Sequence, residues 1–434
     1  MATKNSYKEI ILPNKLKILL YQMDSVLSAH AVLFVRAGAV YEKGEERGIS
    51  HFTEHMGFLG TRKHISSLAI SQEGQKIGAQ YNAWTNKTNT RYWVGLPYTN
   101  IKEGLDFLHQ LTIDSLIKED QVEKEKGVIL SEFNDFWHNP NRKFYHESWR
   151  KRFKTKEHPY SYRPLGIPET IKAIEKEDII SWRKKYYNPA NMILSLAGNI
   201  KEKILLESIK DNFAKIDEGI KRKEPKFSTK DYSSFSLYHQ KEDRPQITFS
   251  ISFPLFGWKE IERIKNLETA FLNDIFGLGF SSRLFQRIRE KERLVYRIKS
   301  YINFHPWMGA FIIEGSVPIE KLITAMQAIR EEIDKLVKNG VTDKEINLSR
   351  NYINSSTLMK FDDPETIVYF FGDQVFKDKK VWYPETYIEK VKKIKKAELN
   401  ELAKNIFDYS KTNISLMGKI TNKTLEEVKD IFKH

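Results

Sequence analysis

The feature that most constrains the fold of this chain is an internal repeat. The segment Ile174–Ile200 (IEKEDIISWRKKYYNPANMILSLAGNI) is matched 220 positions later by Ile394–Ile420 (IKKAELNELAKNIFDYSKTNISLMGKI). Both segments have the pattern of a helix, a turn, an apolar strand and a glycine, with Gly198 aligned to Gly418. The repeat predicts an α+β protein of two homologous domains, each a mixed or antiparallel sheet covered by helices.

The stretch between the two repeats predicts where one domain ends. Residues 217–232 are mostly polar and have no apolar periodicity, which is typical of a linker. We therefore predict a first domain over residues 1–216 and a homologous second domain over residues 233–434. A chain of 434 residues is long enough for two or three cores.

Apolar periodicity locates several elements of the first domain. Strand patterns occur at Lys15–Tyr21, Leu27–Ala37, Ala79–Thr85, Arg91–Leu96 and Met192–Ala197. Helical patterns occur at Ile49–Gly60, Gln121–Trp137 and Ile179–Tyr187.

Composition and charge exclude several kinds of protein. The chain has no cysteine, so a bound metal would need His, Asp or Glu ligands. The net charge of +14 comes with lysines that alternate with glutamates, as in residues 123–126 (EKEK), which indicates solvated helix faces and not a nucleic-acid surface. No apolar run approaches the ~18 residues of a membrane span. The polar N-terminus lacks the apolar core of a secretory signal, so we expect a cytoplasmic protein, although a chain with its signal removed would look the same.

Residues 51–55 (HFTEH) have the form H-x-x-E-H. His51 and His55 are four residues apart, so they lie on one face of a helix, where two neutral imidazoles can hold one Zn²⁺. Glu54 points the same way as His51 and can take a proton from a water beside the metal. The motif predicts a metal-dependent hydrolytic site.

A catalytic zinc also needs a third protein ligand and an open coordination position. The predicted helix Gln121–Trp137 offers Glu125 and Glu132, which are seven residues apart and share one face. Spacing alone does not choose between these two carboxylates.

These motifs resemble those of the pitrilysin-type metallopeptidases, particularly the short two-domain members related to mitochondrial processing peptidase. Residues 48–61 are similar to the signature helix of that family, and residues 125–132 (EKGVILSE) are similar to its second signature. The resemblance implies that Glu132 is the third zinc ligand, beside His51 and His55, and that Glu125 supports the site. One Zn²⁺ per chain is therefore expected.

A further segment resembles the edge strand of the same family. Residues 78–85 (GAQYNAWT) correspond to a strand that pairs with the extended backbone of a substrate, a mode of recognition that depends little on side chains. The resemblance implies that Asn82, Ala83 and Trp84 bind the substrate.

The second repeat lacks the metal motif. At the same offset of 220, the two histidines align with Phe271 and Ile275, and Glu132 aligns with Tyr352. We therefore expect the second domain to be free of zinc.

The second domain also resembles that family, but in a different part of its sequence. Residues 277–285 (GLGFSSRLF), with Arg289 and Tyr296 after them, are similar to a glycine-containing loop and an Arg–Tyr pair that reaches the substrate near the zinc. A guanidinium and a phenol can donate hydrogen bonds to backbone carbonyls or to a developing oxyanion. Arg293 stands where that family commonly has a glycine.

The sequence thus predicts a zinc-dependent endopeptidase that hydrolyses peptides or unfolded segments, with Glu54 as the base. The resemblance implies a chamber of four such domains, so this chain should form a homodimer, or a heterodimer with a metal-free homologue. An alternative is a catalytically silent scaffold or partner subunit of a peptidase complex. Relatives of that kind usually lose the zinc motif, which this chain retains. A polyanion-binding module, resting on charge alone, is a third hypothesis.

Overall fold

Two segments of the chain fold with the opposite half of the sequence. The computed structural model describes residues 6–210, 212–228, 231–232, 234–377 and 379–433. The first unit consists of the described residues of Met1–Asp135, Tyr162–Pro225 and Met359–Trp382. The second unit consists of those of Phe136–Ser161, Lys226–Leu358 and Tyr383–His434. The main crossing between the units, after Pro225, lies inside the predicted linker at residues 217–232. Residues 136–161 and 359–382 each belong to the unit formed mainly by the other half of the sequence, and we call them the exchanged segments. Because of these two segments, the units are not divided simply at residues 216 and 233.

The strands are β1 (Ser6–Ile11), β2 (Lys17–Gln22), β3 (Ser28–Val35), β4 (Gln80–Thr85), β5 (Thr90–Pro97), β6 (Met192–Gly198), β7 (Ser236–Gln240), β8 (Gln246–Phe256), β9 (Arg297–Phe304), β10 (Met308–Pro318) and β11 (Asn413–Met417). The helices are α1 (Ile49–Met56), α2 (Ser67–Lys76), α3 (Ile101–Thr112), α4 (Glu119–His138), α5 (Pro140–Arg150), α6 (Pro168–Ala173), α7 (Lys176–Tyr186), α8 (Glu202–Lys210), α9 (Arg263–Phe276), α10 (Leu322–Asn339), α11 (Asp343–Lys360), α12 (Pro364–Phe376), α13 (Pro384–Lys393), α14 (Lys396–Ile406) and α15 (Asn422–Lys433).

Each unit has one mixed sheet. The strand orders are β1-β2-β6-β3-β5-β4 in the first unit and β7-β11-β8-β10-β9 in the second. The pairs β2–β6 and β7–β11 are parallel, and the remaining pairs are antiparallel. These two sheets with their helices confirm the predicted α+β class.

The internal repeat is visible in the backbone. Helices α7 and α14 begin at Lys176 and Lys396, which are 220 residues apart. Each is followed by a fully buried strand, β6 or β11. Gly198 and Gly418 then have φ values of 135° and 150°, a region in which a side chain would be strained.

Helix α12, one of the exchanged segments, completes the core of the first unit. Its residues Ile367 and Phe371 are buried against Val32 and Phe34 of β3. Burying side chains of this kind stabilises a fold by about 1.5–3 kcal/mol each. The Ser195 hydroxyl of β6 also donates a hydrogen bond to a carbonyl of α12 (2.9 Å). Because this helix covers an apolar sheet face, the first unit depends on a segment that comes late in the sequence.

The predicted elements of the first unit agree with the structure apart from some ends. The five predicted strands correspond to β2 to β6, and their ends differ by at most two residues. The helix predicted to reach Gly60 ends at Met56. The chain turns at Gly57, where an added Cβ would lie only 2.8 Å from the carbonyl oxygen of Leu111.

None of the helices in the described part of the chain has the length and apolar character needed to cross a bilayer.

Candidate metal centre

Helix α1 carries the H-x-x-E-H motif and is fixed at its start by a buried carboxylate. Glu42 accepts hydrogen bonds from the backbone N–H groups of Gly48 (2.9 Å) and Ser50 (3.1 Å), which would otherwise lack partners at the helix N-terminus. Burial raises the pKa of Glu42 to about 7, despite these hydrogen bonds. Gly48 has φ 99°, so a residue with a Cβ would be strained at this position.

The helical repeat of α1 places its apolar side chains on one face, toward the core, and its two histidines on another face. Ile49, Phe52 and Met56 are buried, whereas His51 and His55 lie one turn apart and are partly exposed. The apolar residues therefore hold the helix in place while both imidazoles remain accessible.

The structure brings the predicted ligands together. The Nε2 atoms of His51 and His55 are 3.2 Å apart, and Oε2 of Glu132, from α4, lies 3.7 Å from each of them. One ligand atom from each of the three residues lies within 4.8 Å of the others. Across the described ranges, this is the one group of three or more His, Asp or Glu side chains with that spacing.

Glu125 takes a different position from Glu132, although both lie on α4. Its Oε1 is 2.7 Å from Nδ1 of His55, on the ring edge opposite the ligand atom Nε2. Carboxylates in this position fix the tautomer and orientation of a metal-ligating histidine. The structure thus separates the two glutamates that sequence spacing left equivalent. In the part of the chain that is described, the buried Nδ1 of His51 has no such partner.

The donor set fits a zinc ion. Ligand atoms about 2.0–2.2 Å from a tetrahedral zinc lie about 3.4 Å from one another, close to the spacings seen here. Two imidazoles and one carboxylate are a known ligand set for catalytic zinc, which keeps its fourth position open. Glu132 is 45% exposed at its side chain, so the cluster is accessible from solvent.

Burial and neighbouring charges shift the pKa values of the two imidazoles in opposite directions. Burial, with the positive charges of His55 and Arg163, lowers the pKa of His51 to about 3. A neutral His51 has a free lone pair for a metal. Burial also acts to lower the pKa of His55, but Glu125, Glu132 and Glu54 outweigh it, and the pKa of His55 is raised. These carboxylates make the His55 ring a more basic ligand.

Glu54 is buried beside the ligand cluster and is held by a threonine. The Oγ1 of Thr85, at the end of β4, donates a hydrogen bond to Oε2 of Glu54 at 2.5 Å. Thr85 in turn lies 3.1 Å from the hydroxyl of Thr90. Burial raises the pKa of Glu54 to about 7. The arrangement leaves a carboxyl group of fixed orientation one residue from a metal ligand.

The predicted substrate-binding residues lie on an edge strand. Strand β4 is the last strand of its sheet and pairs only with β5 within the described structure. Asn82 and Trp84 are exposed, and Ala83 is half-buried. The side chain of Asn82 accepts a hydrogen bond from the N–H of Ala83 (2.8 Å). The free edge can accept another strand, and substrate binding there remains a prediction.

Arg289 and Tyr296 lie in the second unit. Arg289 belongs to a π-helical segment, Phe285–Lys291, and its guanidinium stacks over the ring of Phe285 at 4.6 Å. Tyr296 is 72% exposed. Arg293, where the resemblance leads one to expect a glycine, has φ 51°, so this position adopts the left-handed conformation although its residue is not glycine.

The second repeat places apolar side chains where the first has ligands. Phe271 and Ile275 are buried in the core of the second unit, and Tyr352 on α11 is exposed. Asp274, at the position of Glu54, is buried, and burial raises its pKa. These residues lack the donor set of the first unit.

Sequence reasoning missed two residues that support the site, Glu42 and Thr85. Glu42 lies seven residues before the first residue of the helix that it caps, and Thr85 reaches Glu54 across 31 positions. An acidic residue shortly before a glycine-initiated helix is a weak capping signal. No local pattern could have revealed the contact of Thr85.

Comparisons with known proteins agree with this geometry. The sequence profile described as Insulinase (Peptidase family M16) matches residues 17–158, and that described as Peptidase M16 inactive domain matches residues 173–353. An uncharacterized zinc protease of Rickettsia felis is 30% identical over 415 residues, which cover 96% of this chain and 98% of the relative. The uncharacterized zinc protease YmxG of Bacillus subtilis is 26% identical over 411 residues, which cover 94% of this chain and 98% of the relative.

Solved structures share the fold. A protease from Helicobacter pylori has a TM-score of 0.84 at 18% identity, covering 95% of this chain and 99% of that one. The periplasmic protease PqqL of Escherichia coli has a TM-score of 0.81 at 18% identity, covering 100% of this chain and 50% of that one.

The duplicated α+β fold and its single H-x-x-E-H site with a distal glutamate define the class of inverted-motif metallopeptidases. Within that class, the chain belongs to the pitrilysin-type insulinase family, peptidase family M16. The resemblance inferred from the sequence motifs is confirmed.

Proposed function

We propose that this chain is a zinc-dependent endopeptidase that hydrolyses peptides or unfolded polypeptide segments. The observation that carries the proposal is the convergence of one ligand atom each from His51, His55 and Glu132 within 4.8 Å. Zinc at such a site supplies Lewis acidity to the scissile carbonyl and to water. Related proteins named zinc proteases support the same assignment.

Glu54 is the proposed general base. Its carboxylate takes a proton from the attacking water and passes it to the leaving amine, so that one group serves as base and then as acid. A pKa near 7 suits a group that must both accept and donate a proton. The hydrogen bond from Thr85 fixes the carboxylate and leaves one of its oxygens free for this task.

Substrate binding is proposed to use backbone groups. A peptide segment in extended conformation adds to the free edge of β4, beside Asn82, Ala83 and Trp84. Arg289 and Tyr296 then donate hydrogen bonds to the substrate backbone or to the oxyanion. Selection by this mode depends on whether a segment can become extended, which favours short or unfolded peptides over stable folded proteins.

We further propose that two copies of the chain form a closed chamber. Family resemblance supports this arrangement, in which the Arg289–Tyr296 pair of one chain serves the zinc site of the other. A heterodimer with a metal-free homologue is the variant of this proposal.

A cytoplasmic location is also proposed, and fractionation of the native cells tests it. The Escherichia coli relative is described as periplasmic, which makes that test informative.

Substitutions at the site test the proposed function. Glu54→Gln should keep bound zinc and lose nearly all turnover of an unfolded polypeptide, because an amide cannot act as a base. His51→Ala, His55→Ala and Glu132→Gln should lose both zinc and activity. Chelator should inactivate the wild-type protein, and added Zn²⁺ should restore it. Full activity of Glu54→Gln, or loss of its zinc, would contradict the assigned role.

The competing function is a catalytically silent partner subunit. It makes a different prediction for the same measurements, since the wild-type protein would then turn over no peptide even with stoichiometric zinc. The complete ligand set in the first unit favours the enzyme.

A further inference from the structure

The second unit contains a cavity of about 370 Å³ at one end of its sheet. It is lined by Asn141, Arg244, Pro245, Gln246, Thr248, Tyr296, Arg297 and Ser316. Thr248, Ser316 and Arg297 lie side by side in the register of β8, β10 and β9, so their side chains share one sheet face. Arg244 comes from the loop before β8, and Asn141 comes from the first turn of α5.

The lining of this cavity is cationic. Two of its residues, Arg244 and Arg297, are arginines, and none is acidic. Within the described ranges, no carboxylate lies within ion-pair distance of either guanidinium. The Nη1 of Arg244 donates to Oδ1 of Asn141 (3.1 Å) and to Oγ1 of Thr248 (3.2 Å), which are both uncharged. These contacts orient the guanidinium and leave its charge without a counter-ion.

A second cavity, of about 480 Å³, adjoins the first and shares Asn141 and Arg297 with it. Its lining adds Lys299 and one acidic residue, Glu314. Glu314 accepts a hydrogen bond from the hydroxyl of Tyr301 (2.5 Å), so one of its oxygens is already engaged. Even with Glu314 counted, the two cavities together hold three cationic side chains and one acidic one. The positive charge is concentrated in the smaller cavity.

We propose that the smaller cavity is a subsite for the carboxylate of an aspartate or glutamate side chain in the peptide substrate. The proposal rests on the proposed peptidase function, because Tyr296 both lines the cavity and belongs to the pair assigned to the substrate. Guanidinium groups bind carboxylates through charge-assisted and often bidentate hydrogen bonds. A volume of about 370 Å³ lies near the lower end of the range for small-ligand pockets, so it suits a side chain and not a folded partner.

The positive charge of the whole protein supports an acidic substrate class. A net charge of +14 attracts acidic peptides over a distance, and the cavity then selects those with a carboxylate in the right register. The cavity thus selects substrates by a side chain, whereas pairing at the edge strand β4 depends on backbone groups.

Peptide binding to the zinc-loaded Glu54→Gln variant tests the subsite without turnover. The probes are short fluorescein-labelled peptides of alanine and serine with one glutamate, moved along the peptide, and the same peptides with glutamine. At one position along the peptide, the glutamate peptide should bind roughly tenfold more tightly than the matching glutamine peptide, as expected for one charge-assisted hydrogen bond. Fluorescence anisotropy measures both affinities. Arg244→Gln and Arg297→Gln, added to this background, should each bring the affinity ratio toward one. Arg297→Lys should keep part of it.

Lys404→Gln provides the matched control, because it removes the same charge from an exposed position on α14. It should keep the affinity ratio of the parent protein. Because each result is a ratio of two affinities, a general loss of binding in a variant cancels.

Three outcomes would overturn the subsite. They are equal affinity for the glutamate and glutamine peptides at every position, an unchanged ratio in both arginine-to-glutamine variants, and an arginine-dependent affinity that is the same for both peptides but is lost when the C-terminal carboxylate is amidated. The last outcome would assign the cavity to a chain terminus. Absence of turnover in the wild-type protein would refute the peptidase proposal instead, and the binding ratio would still report on the cavity.

Discussion

Nδ1 of His55 lies 2.7 Å from Oε1 of Glu125, while Nε2 of the same ring faces Glu132. The imidazole is therefore held from behind by one glutamate of α4 and shares the ligand cluster with the other. This single contact assigns different tasks to two carboxylates that lie seven residues apart on one helix.

Glu125→Gln should weaken zinc binding without abolishing it. The amide cannot fix the tautomer of His55 as a carboxylate does, and losses of about 10- to 100-fold in metal affinity are usual for such partners. Competition with a fluorescent chelator measures the change. Glu123→Gln is the control, because Glu123 pairs with Lys126 on the exposed side of the same helix. Equal affinity in Glu125→Gln and wild type would contradict the supporting role.

Thr85→Val should slow peptide hydrolysis while zinc content stays unchanged. The substitution keeps the shape of the side chain but removes the donor to Glu54, so the carboxylate loses its orientation. A hydrogen bond to a charged group corresponds to roughly 10- to 100-fold in kcat/KM. Thr85→Ser keeps a hydroxyl and should retain most of the rate. An equally impaired serine variant would show that the methyl group, and not the hydrogen bond, is what matters.

Glu42 should make the stability of the protein fall as the pH rises from about 5 to about 7. Its pKa in the folded protein is about 7, above the ordinary value of 4.5, so the folded state favours the protonated form. The stabilisation is complete below pH 4.5 and is lost as the pH passes 7, with a slope of at most about 1.4 kcal/mol per pH unit.

Glu42→Gln removes this titration. Urea unfolding in EDTA at several pH values, which excludes a contribution from metal binding, measures the difference in unfolding free energy between wild type and variant. That difference should decrease from pH 5 to pH 7.5. Parallel stability curves for the two proteins would rule out the buried carboxyl as the source.

Two inactive variants should complement each other if two chains share their sites. His51→Ala lacks zinc but keeps Arg289 and Tyr296, and the double variant Arg289→Ala/Tyr296→Phe keeps zinc. With free exchange, about half of the dimers are mixed and each has one complete site of two, so activity should return to roughly a quarter of wild type. Differently tagged chains verify exchange. No recovery after verified exchange would refute the shared arrangement and leave the zinc chemistry untouched.

Local patterns in the sequence predicted much of the first unit. Strands β2 to β6 follow an alternation or an apolar run within a few residues, and the spacing of His51 and His55 follows from the helical period alone. The family resemblance assigned Glu132 as the ligand, and its position beside both histidines agrees with that assignment.

By itself, the sequence determined the duplicated architecture, the zinc-binding motif and the family, because each is written in residues that are close together or in a repeat of constant length. Tertiary structure alone decided that α5 and α12 fold with the opposite half of the chain, that Thr85 holds Glu54, and that Arg244 and Arg297 share a cavity. Each of these depends on which distant segments pack together. That choice is made by burial of apolar surface over a whole unit, a sum over many contacts that no short stretch of sequence contains.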